Sequence, residues 1–148
     1  WISGRKPVAM RRAARYGDGW LPYMYTPDML ADSIKQIREA CEREGRDPHS
    51  VRPGVYAFTA VHEDAATGVR MAAEKLGTQY AQDFNRIVDK YAIGGDPDRC
   101  RARLREYIDA GAEFIVLSSA CPDDYMDTNI ELIANELVTP MREYYRHT

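Results

Sequence analysis

Short apolar runs bounded by glycine and proline alternate along this chain with stretches whose apolar residues recur every three or four positions. That alternation narrows the fold more than any other feature, because strand, helix and strand in succession form a parallel sheet with right-handed crossovers. The opening residues 1–23 contain one such unit. Trp1-Ile2-Ser3 reads as the end of a strand, Gly4 as a turn, the stretch from Pro7 to Gly17 as a short helix, and Gly19-Trp20-Leu21-Pro22-Tyr23 as the next strand. Pro7 suits the first helical position, where its missing N–H costs nothing. Gly17 suits the residue after the helix, where a left-handed conformation is wanted. Met10, Ala13 and Ala14 share one face, and Arg11, Arg12 and Arg15 can remain in water.

The same reading carries through the rest. Thr26 caps a helix begun by Pro27, with Leu30, Ile34, Ile37 and Cys41 as its apolar stripe up to Gly45. Residues 53–61 are apolar densely enough for a strand buried on both faces. Asp64 caps a helix that ends at Gly77, and a second helix is expected over 78–93, with Tyr80, Phe84, Ile87, Val88 and Tyr91 inward, as an insertion into the repeat. Gly94-Gly95 should break it, Asp96 cap the next helix and Pro97 begin it, with Cys100, Leu104, Tyr107 and Ile108 facing the core. Residues 113–117 form a buried strand running into Ser118-Ser119. A last helix carries Ile130, Ile133, Ala134 and Leu137 inward until Pro140 kinks or ends it.

Composition excludes several functions. With 148 residues, a 45% apolar content and a net charge of −3, the chain is of ordinary single-domain kind, so residues 1–148 are expected to form one α/β domain. Its arginines and lysines are scattered among acids and form no stripe that could track nucleic acid. No apolar run approaches the ~18 residues that span a bilayer, and no signal peptide is visible, so a cytoplasmic protein is expected. Three cysteines, Cys41, Cys100 and Cys121, do not suggest a disulfide framework, and His49, His62 and His147 lack metal-ligand spacing with them. No metal is expected.

Chemistry concentrates in the first turn. Gly4 lets backbone approach a ligand closely, the following helix turns unpaired N–H groups back toward it, and Arg5 and Lys6 add positive charge. Together these residues suit a phosphate. Asp18 and Asp96 read as a turn residue and a helix cap and do not form an acid–base pair.

Trp1-Ile2-Ser3-Gly4 followed by Arg11-Arg-Ala-Ala-Arg-Tyr-Gly-Asp-Gly-Trp-Leu-Pro22, and Tyr91-Ala-Ile-Gly-Gly-Asp-Pro-Asp-Arg-Cys100 followed by residues 104–117, resemble the C-terminal half of the luciferase-like monooxygenase family. The resemblance implies a (β/α)8 TIM-barrel fold using flavin mononucleotide (FMN) or the deazaflavin coenzyme F420, with its site at the C-terminal ends of the strands. It also implies that Gly4, Arg5, Lys6 and the N–H of Val8 hold the cofactor phosphate, and that Trp20 and Tyr23 lie near the ring or substrate. The family turn usually carries a second Gly or a Ser where this chain has Arg5-Lys6-Pro7.

On this reading the chain is about four strands of a barrel, the C-terminal half of an oxidoreductase or monooxygenase acting on a small organic substrate. The residues of catalysis are expected in an N-terminal half, and none is assigned here. A half-barrel with open edges should self-associate as a homo-oligomer. The alternative is a non-catalytic half-barrel that binds a phosphate-bearing ligand or a partner chain.

Overall fold

The computed structural model describes residues 1–146 of an α/β chain; His147 lies outside them. The described residues form two compact units, Trp1–Tyr56 with Tyr107–Val116, and Ala57–Glu106 with the described residues from Leu117 onward. Strand β2 (Arg52–Val61) pairs in parallel with β1 (Gly19–Trp20), then with β3 (Ala92–Gly95), and also pairs with β4 (Phe114–Ser119).

In the first unit, helix α1 (Pro7–Tyr16) buries Ala9, Met10, Ala13 and Ala14. It packs on helix α2 (Pro27–Arg43), which buries Leu30, Ile34, Ile37 and Cys41. The alanines bring the two helices close enough for the Cys41 Sγ to lie 3.9 Å from the Ala14 carbonyl. Thr26 caps α2 as expected, accepting from the Met29 N–H at 3.2 Å. Strand β1 is shorter than its sequence suggests. Gly19 and Trp20 pair with Arg52 and Pro53, Ile2 bridges to Trp20, and Tyr23 bridges to Tyr56.

Gly17 is not left-handed: its φ is −95° and its backbone is extended. Crowding is the reason for glycine here, because a Cβ would lie 3.0 Å from the Ala13 carbonyl and 3.1 Å from the Ile2 side chain. The end of α1 is satisfied from outside the helix, where the Arg46 guanidinium donates to the carbonyls of Ala14 at 2.7 Å and Gly17 at 2.9 Å.

In the second unit, Asp64 caps helix α3 (Ala65–Tyr80) through the Thr67 N–H. This helix runs past Gly77 and closes on left-handed Ala81. The helix expected over 78–93 is therefore divided. Its start belongs to α3, Val88–Tyr91 makes a single turn, α4, and the end is strand β3. Between them the Asp83 carboxylate accepts from the Asn85 N–H at 2.9 Å, a local bond that competes with helix. Gly94, expected to break a helix, instead lies in β3 against α3, where a Cβ would fall 3.2 Å from the Val69 Cα, and Gly68 of α3 is as closely placed, since a Cβ on it would fall 2.7 Å from the Gly95 backbone.

Asp96 caps helix α5 (Pro97–Asp109), accepting from the Arg99 N–H at 2.8 Å. After β4 the chain enters α6 (Met126–Leu132), a π-helical segment (Ile133–Val138) and α7 (Thr139–Arg146). Pro140 thus does not end the helix. The widened turn before it makes room for the ring, and the Glu136 carbonyl, four residues back, accepts instead from Arg101 at 2.8 Å.

Candidate anion-binding turn

Gly4 has a φ of +129°, a value that residues with a side chain rarely adopt, and a Cβ there would lie 2.7 Å from the Ala9 Cβ. The turn can therefore sit directly on the first turn of α1. Lys6 occupies the cap position in extended conformation, no side chain caps the helix, and Pro7 starts it. The Lys6 carbonyl accepts from the N–H groups of Ala9 and Met10. No acid stands in the first turn. An uncapped ten-residue helix ending in two exposed cations, Arg5 and Lys6, favours an anion at this end.

The predicted residues fall in two layers. Gly4, Arg5, Lys6 and Val8 lie together around the turn, with Arg5, Lys6 and Val8 exposed. Tyr23 joins them, because the Arg5 guanidinium stands 5.4 Å from the centre of its ring. Trp20 is fully buried and its indole N–H donates to the Gly4 carbonyl at 3.0 Å. Two participants carried no signal of a place in the site, Met24 none at all and Tyr107 only that of a core residue. Met24 has a positive φ of 52° and presents its carbonyl to Arg5 at 3.5 Å. Tyr107 donates to the Tyr25 carbonyl at 2.6 Å, and Tyr25 shares a hydrogen bond with Ser33. Contacts such as Tyr107 with Tyr25 join positions 82 residues apart, which periodicity does not register.

Elsewhere the reactive groups are occupied. Burial and the nearby Asp96 carboxylate push the Cys100 thiol up to about 12, and burial raises Cys121 as well. His62 accepts from the Asp64 N–H through Nδ1 at 2.9 Å. A groove of about 470 Å³ in the second unit includes Arg70, Asp89 and Arg99 in its lining, but shares no residue with the turn. Its Arg99 is already paired with Asp89 at 2.7 Å. Among the described residues no three His, Cys, Asp or Glu side chains gather as metal ligands, and no helix is long and apolar enough to cross a membrane.

The chain has relatives among known proteins. The chain is similar to a 5,10-methylenetetrahydromethanopterin reductase of Methanolobus tindarius, 25% identical over 93% of this chain and 53% of that protein. It is similar also to an F420-dependent glucose-6-phosphate dehydrogenase of Amycolatopsis mediterranei (strain U-32), 25% identical over 78% of this chain and 41% of that one. The chain thus spans about half the length of the curated relatives it matches. Among solved structures, an F420-dependent secondary alcohol dehydrogenase in complex with an F420-acetone adduct superposes with a TM-score of 0.74 at 17% identity, covering 91% of this chain and 46% of that one. The fold is accordingly that of part of a (β/α)8 barrel, with parallel strands and flanking helices. The luciferase-like monooxygenase model matches residues 1–113, and the chain belongs to that family.

Proposed function

We propose that this chain supplies the phosphate-holding side of an F420-dependent oxidoreductase that acts on a small organic molecule. The observation that carries the reading is the turn itself, an uncapped helix start without acids, with Arg5 and Lys6 exposed beside it and a glycine that allows close backbone approach. Those residues fit a phosphate in charge and in space. Arg5 and Lys6 supply the charge, the Val8 N–H at the helix start donates to an anion, and Tyr23 offers an aromatic face beside Arg5. The deazaflavin, when bound, supplies the hydride chemistry, and the protein's share is binding and orientation. The two curated relatives, named as a reductase and a dehydrogenase, favour a redox role over a module that only binds, and the second, named as F420-dependent, favours F420. FMN with oxygenation is the second reading, favoured by the monooxygenase character of the family. The half-exposed apolar strand β4 supports self-association of this chain.

The test is a fluorescence titration of the chain with F420 and with FMN, repeated on Arg5→Glu. One cofactor should bind saturably and lose about 1.5–3 kcal/mol on charge reversal, the range for a hydrogen bond to a charged group. Equal affinity of the two proteins, or no saturation with either cofactor, would sink the assignment.

A further inference from the structure

Resting on that reading, we infer that Trp20 is a positioning residue for the phosphate turn, acting through its indole N–H on the Gly4 carbonyl. Trp20 is fully buried, so it cannot itself face a ligand across the surface of this unit. Its one polar atom is spent on Gly4 at 3.0 Å. The two groups of a trans peptide point in opposite directions. Drawing the Gly4 carbonyl inward to the indole therefore turns the Arg5 N–H outward, toward the side where the Arg5 and Lys6 side chains are exposed. Gly4 can accept this rotation because at a φ of +129° it has no side chain to strain.

The indole is itself held in place. Its ring meets Tyr25 edge to face, with centroids 5.5 Å apart. The Tyr25 hydroxyl is shared with Ser33 of α2, and its carbonyl accepts from Tyr107 of α5. The adjacent Met24 carbonyl is the one that faces Arg5. One buried aromatic group thus fixes a backbone donor on one side of the turn and stands beside the brace of a guanidinium on the other.

A merely structural Trp20 would affect every ligand alike, whereas a positioning Trp20 affects the phosphate alone. The experiment measures affinity of the full chain for FMN against riboflavin, and for F420 against its phosphate-free deazaflavin alcohol. It uses the natural protein, Trp20→Phe, and a protein carrying β-(3-benzothienyl)alanine at position 20, which keeps the ring shape and removes the donor. The natural protein should prefer the phosphorylated ligand. Both altered proteins should lose about tenfold of that preference, the factor for one hydrogen bond to a charged group or its support, with affinity for the phosphate-free ligand unchanged. If Trp20→Phe does not fold, the benzothienyl protein decides. A preference that survives removal of the indole N–H, while Arg5→Glu abolishes it, overturns the positioning role and leaves the phosphate site standing. No preference in the natural protein, with Arg5→Glu silent, overturns the phosphate reading and this inference together.

Discussion

Asn129 does at the residue scale what a neighbouring strand does for a backbone. Its side chain is fully buried, its Oδ1 accepts from the Val61 N–H at 2.8 Å, and its Nδ2 donates to the Thr59 carbonyl at 3.1 Å. Both partners belong to the end of β2, where the ladder would otherwise finish with an unpaired donor. Replacing Asn129 by Leu keeps the volume and strands the Val61 N–H, so urea denaturation should show a loss of about 2 kcal/mol, the cost of one buried unsatisfied group. A loss below about 0.5 kcal/mol, the range of an ordinary surface change, would mean that water or a shifted backbone replaces the amide. Nothing in the sequence marks this residue, because its polarity alone fits the wet side of a helix equally well. The turn cations Arg5 and Lys6, by contrast, could be read directly, since their charge and their place before Pro7 are local facts.

Elements were legible wherever their signals were local. Thr26, Asp64 and Asp96 each cap the helix they precede, and the apolar stripe of α2 is buried as its spacing implies. The misreadings occurred where a distant partner decides. Residues 92–95 became strand because β2 offered them a ladder, from Phe58 with Ala92 to Val61 with Gly95. The helix through Pro140 continues because Arg101 takes over the Glu136 carbonyl that the proline ring displaces from its ladder. The two are therefore coupled. Arg101→Leu should cost about 1–3 kcal/mol in the natural protein, leaving a carbonyl and the Glu136 carboxylate without their donor. In a Pro140→Ala background the restored amide can reach that carbonyl, and the cost should fall by about 1 kcal/mol. Additive losses in a four-protein denaturation cycle would show that Arg101 and Pro140 act independently.

At the scale of the whole molecule, β4 does not match its own composition. Phe114-Ile-Val-Leu is the kind of apolar run found in parallel strands covered on both faces. Yet every residue from Ile115 to Ser119 is only half-buried, whereas β2 is buried at nearly every position. Phe114 and Trp1 meet at a tilt, with ring centroids 5.0 Å apart, and remain exposed as a pair. Apolar strands left in this state seek cover, so light scattering on the purified chain should give at least twice the monomer mass, and a stable monomer at all concentrations would count against self-association. The sequence by itself determined most of the helices and strands, the N-caps Thr26, Asp64 and Asp96, the family and the cationic turn, because each rests on signals that the chain carries locally. Tertiary structure alone decided that Trp20 holds the turn from below, that the Gly94 and Gly95 pair is strand, and that Arg46 and Arg101 satisfy carbonyls of helices they do not belong to. Each of those outcomes follows from a backbone group seeking a hydrogen-bond partner far away in sequence, and no local pattern records which partner it will meet.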